Sequence, residues 1–174
     1  MNRLFVLLML ALPLSACGLR PVYSGGSQGV VAQSLANIEV APIPGKAGWL
    51  VGNALRDRLV QDGTGPRYRL VVTLDDSIQG FGVRADDAIT RERRTLRARY
   101  QLVDAATGTQ MVDASAGSDA GIDVSSSEYA TIAAEDTALE RLSQIVADQI
   151  IARLALFATE DARTAAASPA REGQ

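Results

Sequence analysis

From Glu128 to Ala158 the chain contains neither glycine nor proline. Within that stretch Ile132, Leu139, Leu142, Val146, Ile150, Leu154 and Phe157 fall on one broad stripe. This spacing predicts an amphipathic helix of up to roughly 45 Å at ~1.5 Å per residue. Ser125 followed by Glu128 is a capping-box pattern that marks its start. A helix so long and so one-sided must bury its stripe against another layer, which limits the fold to packed architectures with an extended wall.

The wall is legible upstream. In Tyr68–Leu74, the residues Tyr68, Leu70, Val72 and Leu74 share one face, and in Thr95–Val103 so do Leu96, Ala98, Tyr100 and Leu102. Alternation with period two is the signature of half-buried antiparallel strands. Arg84-Ala85-Asp86-Asp87 reads as the turn between them, with an irregular stretch around Gly80 and Gly82. Asp104–Gly108 reads as a hairpin loop into a third strand from Thr109 to about Ala116, and Gly117–Asp123 has no clear periodicity. Earlier still, Ile38–Ala41 is a short strand closed by Pro42 and Pro44, followed by a turn at Gly45–Gly48. Leu50, Val51, Ala54, Leu55 and Leu59 then predict a helix from about Trp49 to Gln61, stopped by Gly63-Thr64-Gly65-Pro66. The order β-α-β-β-β-α gives an α+β two-layer sandwich: an about four-stranded, mostly antiparallel sheet covered on one face by two helices. Trp49 is expected to pack rather than to stand out as an exposed anchor.

The N-terminus places this domain. Asn2 and Arg3 precede an apolar run from Leu4 to Pro13, then Leu14-Ser15-Ala16-Cys17. That is the layout of a secretory signal peptide, and the run is too short to span a bilayer. The four residues ending in Cys17 resemble the bacterial lipobox, which implies that the Cys17 thiol is lipidated and heads the mature chain. Several buried acyl chains hold a protein firmly on a membrane. The chain then divides into a signal peptide (1–16), a lipidated N-terminus and Gly/Ser/Gln-rich tether (17–35), one α+β domain (36–158) and a disordered Ala/Ser/Pro tail (159–174). No second run reads as apolar enough to cross a membrane.

Composition narrows the chemistry. The chain has one cysteine and no histidine, so Ser-His-Asp and Cys-His nucleophilic sites and zinc sites built on His or Cys are excluded. Its formal net charge of −3 does not suit a general nucleic-acid binder. The adjacent pairs Asp75–Asp76 and Asp86–Asp87 point to opposite faces of a strand, so they do not converge as a carboxylate pair without a turn. Asp119, Asp123 and Glu128 fit no compact calcium loop. The sequence therefore predicts a protein that is not an enzyme and that carries no metal and no cofactor.

The most unusual local composition is Arg91-Glu92-Arg93-Arg94-Thr95-Leu96-Arg97-Ala98-Arg99. With Leu96, Ala98 and Tyr100 facing the core, Arg91, Arg93, Arg97 and Arg99 fall on the opposite face, with Arg67 and Arg69 expected beside them. Guanidiniums crowded on one sheet face repel one another unless anions neutralise them. Arginine's planar fork grips phosphate and carboxylate in bidentate fashion, so a phosphorylated ligand fits. The alternative is a solvated face in which Asp75, Asp76, Asp86, Asp87 and Glu92 supply part of the neutralising charge.

Cys17-Gly18-Leu19-Arg20-Pro21-Val22-Tyr23 resembles the opening of the mature chain in the LPS-assembly lipoprotein family, LptE. The resemblance continues through the arginine-rich strand into Arg99-Tyr100-Gln101-Leu102-Val103-Asp104 and Thr107-Gly108. It includes Glu128-Tyr129-Ala130 and the helix end Ile150-Ile151-Ala152-Arg153-Leu154. Leu19 departs from the family's usual aromatic. The resemblance implies a protein in the cell outer membrane, held at the periplasmic face by its N-terminal lipid. Its domain would plug and help assemble a large β-barrel partner like LptD, and the pair would insert lipopolysaccharide into the outer leaflet. Lipopolysaccharide is then the expected ligand of Arg91, Arg93, Arg97 and Arg99. The alternative is a free-standing, lipid-anchored periplasmic binding or scaffolding module without a barrel partner.

Overall fold

The computed structural model describes Leu35 and residues 38–59, 65–83 and 89–167. Cys17, the signal and the tether up to residue 34, the turn at 84–87 and residues 168–174 lie outside the described residues. The elements are β1 (Ile38–Val40), α1 (Gly45–Arg58), β2 (Tyr68–Val83), β3 (Ile89–Asp104), β4 (Gln110–Asp123) and α2 (Glu128–Ala167). They form a four-stranded sheet in the order β1-β2-β3-β4. β1 runs parallel to β2, as a strand returning through a helix can, and the other pairs are antiparallel. Both helices lie on one face, as the pattern predicts.

Even-numbered positions of β2 and β3 build that face. Tyr68, Leu70, Val72, Leu96, Ala98, Tyr100 and Leu102 are buried there, against Val51, Ala54 and Leu55 of α1 and Leu139, Leu142, Val146, Ile150 and Leu154 of α2. The matching positions of β4 are small, with Ala114, Ala116 and Ala120 in or against the core, so α2 can lie close across them. Lys46 reaches Asp136 at 2.7 Å and Arg58 reaches Asp148 at 2.7 Å, so the two helices run side by side in the same direction.

Several expectations are corrected. α1 begins at Gly45 rather than Trp49: Gly45 turns the chain with φ +80°, and Gly48 lets the helix press on Ile43, whose carbonyl oxygen would lie 2.5 Å from any Cβ. These glycines read as a turn because they serve a close approach inside a helix. Trp49 is consequently on the outer side of α1 and is 65% exposed, not packed. Ile132 is also exposed, because the helix at that level has passed the edge of the apolar core. The cap of α2 is Ser127, whose Oγ accepts from Ala130 N–H at 3.4 Å, whereas Ser125 Oγ accepts from Ser127 N–H. α2 does not end at Ala158. Thr159–Ala167, read as the start of a disordered tail, is helical, being rich in good helix formers, and Asp161 there approaches Arg67 at 3.9 Å. One window of this helix, with mean hydropathy 1.3, is long and apolar enough to cross a membrane, contrary to the reading above; half of it is buried in the fold.

The strands outrun their apolar alternation. β2 continues through Gly80 and Gly82, and β4 through Gly117–Asp123, in an unbroken register with β3. At this distal end the inner face becomes polar. Arg94, 9% exposed, donates from Nε and Nη2 to the two carboxylate oxygens of Asp76 at 2.8 and 2.6 Å and from Nη1 to the Glu135 carbonyl at 3.0 Å. Glu92 Oε2 is buried nearby without a hydrogen-bond partner among the described residues.

Glu135 and Glu92 meet here as carboxyls. Burial first, then the neighbouring Glu92 charge, raise the Glu135 pKa above its ordinary value, with Arg94 opposing. A carboxyl whose folded pKa is raised resists ionisation in the fold, so stability falls as pH rises from the ordinary glutamate range to the raised value. Glu135→Gln is therefore expected to raise the melting temperature at pH 7 and to lose that advantage below the ordinary glutamate pKa. Thermal unfolding of both proteins across pH 3–8 checks this; an advantage independent of pH contradicts it.

Candidate functional site

The odd-numbered positions of β2, β3 and β4 face away from both helices, and no described element covers them. Arg91, Arg93, Arg97 and Arg99 are all exposed there, spread over roughly 26 Å at ~3.3 Å per residue. The structure brings these four sequence-predicted residues into one row. Arg69 joins it and lies 3.5 Å from Glu39. Arg67 does not: its guanidinium stacks 5.0 Å over the Tyr68 ring and turns toward Asp161 of α2.

The anions beside the row are not chiefly the expected ones. β4 supplies Asp113, Asp119 and Asp123 on the same face. Arg91 pairs with Asp123 at 3.1 Å and Arg93 reaches Asp119 at 4.0 Å, its guanidinium also 5.4 Å from the Phe81 ring. Arg99 donates from Nε and Nη2 to Asp113 at 3.2 and 2.9 Å, and Gln101 donates to the same carboxylate at 3.0 Å. These hydrogen bonds, Arg99's first, hold the Asp113 carboxyl below its ordinary pKa. The expected Asp76 is instead the inner-face partner of Arg94, and Asp86 and Asp87 lie outside the described residues.

Arg97 differs from its neighbours. Among the described residues it has no carboxylate within 4 Å; Asp75 is its cross-strand neighbour on β2, and on the other side it lies over Gly117. A Cβ at Gly117 would sit 2.5 Å from Arg97 Cδ and 2.8 Å from Nη1, so this glycine makes the space in which the side chain rests. Among the described residues the row thus combines four screened ion pairs with one arginine, Arg97, that has no carboxylate within 4 Å.

Sequence reasoning missed Asp119 and Asp123 because glycines and alanines hide the strand's alternation beyond Ala116, and it missed Asp113 because the register that sets it beside Arg99 is long-range. The signal present was their shared parity, which puts all three on one face of any strand that includes them. It also missed Arg94, the one arginine of the run at an even position, where parity alone assigns it to the core side.

The lipopolysaccharide-assembly family model, LptE, matches residues 35–154. The chain belongs to the LptE family. Its function class is accordingly that of a lipopolysaccharide-assembly lipoprotein. Among solved structures it is similar to a candidate lipoprotein from Caulobacter crescentus, at 24% identity and TM-score 0.62, covering 76% of this chain and 98% of that one. It is also similar to the rare lipoprotein B from Shewanella oneidensis, at 9% identity and TM-score 0.57, covering 71% and 96% of the two chains. An uncharacterised lipoprotein B from Nitrosomonas europaea shares 10% identity at TM-score 0.55, covering 70% and 83%. At these identities the likeness establishes the fold, and the family match carries the function class. No curated protein sequence matches the chain.

Proposed function

We propose that the protein is anchored through acyl groups on Cys17 in the periplasmic leaflet of the outer membrane. There its domain seats in the lumen of a large LptD-like β-barrel, helps that barrel assemble, and assists insertion of lipopolysaccharide into the outer leaflet. The match of the LptE family over residues 35–154 carries this reading. A compact core with a polar exterior suits a domain lodged in a polar lumen. The role asks for no catalytic group, and a chain without histidine supplies few.

The arginine row supports contact with lipid A phosphates. Its ion pairs are solvent-exposed, and pairs of that kind are worth about 1 kcal/mol or less, so a phosphate can displace the aspartates at little cost. Arg97, which has no carboxylate partner among the described residues, is the first contact. Arg97→Ala together with Arg99→Ala is expected to weaken binding of the purified protein to bisphosphorylated lipid A by about tenfold or more, since each charge-assisted bond contributes roughly 1.5–3 kcal/mol. Arg91→Ala, which removes a contact already screened by Asp123, should weaken it less. Titration of lipid A against the three proteins tests this; unchanged affinity in the double variant means the row meets the barrel wall or solvent instead. For the anchor, Cys17→Ser should leave the protein out of the outer-membrane fraction, and its continued presence there would remove Cys17 from the account.

A further inference from the structure

β4 is an edge strand whose open side is already receiving a peptide-like partner. Among the described residues it pairs with β3 only, and its even-numbered residues turn their backbone toward β3, as the continuing Val124 N–H bond to the Thr90 carbonyl at 3.0 Å shows. The odd residues therefore aim their N–H and C=O groups outward. At Gly117 both outward groups are taken by one side chain of α2: the N–H donates to Gln149 Oε1 at 2.9 Å, and Gln149 Nε2 donates to the carbonyl at 3.4 Å. A carboxamide is a peptide group without its chain, and this two-way exchange is what a residue of an added strand would make. Ser115, Asp119 and Gly121 carry the same outward groups with no protein partner among the described residues.

We propose that this edge accepts an extended segment of a partner protein by strand addition, with Gln149 holding the central position until the segment displaces it. Side-chain chemistry defines the segment. On the outer face the new strand would lie beside Asp113, Asp119 and Asp123, so basic residues there continue the alternation of charge across the sheet, from arginine on β3 to aspartate on β4 to cation on the partner. A second copy of β4 would bring more carboxylates to that face and is disfavoured. On the inner face the segment meets an open groove of about 500 Å³ between β4 and α2, floored by Ile122 and the alanines 120, 133, 134 and 138 and bordered by Asp123, Thr137 and Arg141. Apolar side chains fill it. The partner is thus a strand of alternating basic and apolar residues, bound by main-chain bonds and selected by alternate side chains. This assignment does not depend on the lipopolysaccharide reading.

The test uses the full-length lipoprotein in detergent micelles and a fluorescent synthetic peptide of alternating Lys and Val. A control peptide has the same composition with its lysines and valines in two blocks. The alternating peptide should bind about tenfold more tightly than the block peptide, a difference of about 1.4 kcal/mol. It should slow hydrogen exchange at the amides of Ser115, Asp119 and Gly121 while leaving those of Ala116 and Ser118, which already bond β3, unchanged. Ser115→Pro removes an outward donor at a position an edge strand tolerates and should abolish the preference. Gln149→Ala should strengthen binding severalfold, and Asp119→Lys should weaken it, which keeps the test informative should the proline variant not fold. Equal binding of the two peptides, or protection away from β4, overturns the proposal.

Discussion

Arg94→Ala is expected to lower the unfolding free energy by about 3 kcal/mol, because removing one member of a buried ion pair leaves the other charge uncompensated. The Arg94 and Asp76 side chains are only 11% and 24% exposed, so solvent screens this pair far less than the pairs of the outer face. The guanidinium also ties the Glu135 carbonyl to β3, joining α2 to the distal sheet. Its loss should therefore loosen the first turns of α2 as well as the strand. Replacing both partners, Arg94→Met with Asp76→Leu, should recover most of the stability, since apolar residues of similar volume often substitute for a buried pair without loss. Denaturant unfolding of the single and double variants decides the matter. A double variant as unstable as the single one would mean that Arg94 acts through the helix carbonyl rather than through its ion pair.

Leu142→Ala is expected to cost about 3 kcal/mol, within the usual range of 2–5 for a buried leucine truncated to alanine. Leu142 is 1% exposed in the middle of the α2 stripe, where it belongs to the single core formed by sheet and helices. Trp49→Ala, by contrast, should change stability little despite the larger side chain, because Trp49 stands on the outer side of α1. Parallel thermal and denaturant unfolding of the two variants tests the contrast. A loss at Trp49 comparable to that at Leu142 would place the indole in the core and reverse the orientation assigned to α1.

That contrast also shows what the sequence could convey. Where one face is apolar and the other polar, periodicity reported the structure: Tyr68 through Leu74, Leu96 through Leu102 and Leu139 through Leu154 all occupy the predicted side. It failed where burial is achieved without large apolar side chains. Gly45 and Gly48 serve a tight helix entry, and Ala116, Gly117 and Ala120 allow α2 to lie close to β4, so neither segment advertises its element. The same loss of pattern concealed the distal half of β4, and with it Asp119 and Asp123, two of the aspartates that neutralise the arginine row. Parity placed Arg91, Arg93, Arg97 and Arg99 correctly on one face. Whether charge on that face was already satisfied depended on long-range strand register, which local spacing does not encode. Arg94 shows the converse: its inward position follows from parity, but its tolerance there depends on Asp76 and a helix carbonyl brought from distant parts of the chain.

Co-purification tests most directly the proposal that this domain works inside a β-barrel of the outer membrane. C-terminally tagged protein would be expressed at native level and recovered from outer membranes in mild detergent. The account predicts a stoichiometric partner whose electrophoretic mobility shifts on heating, as that of β-barrels does. Recovery of the lipoprotein alone, with the barrel left in the flow-through, would contradict it and favour a free-standing lipid-anchored module.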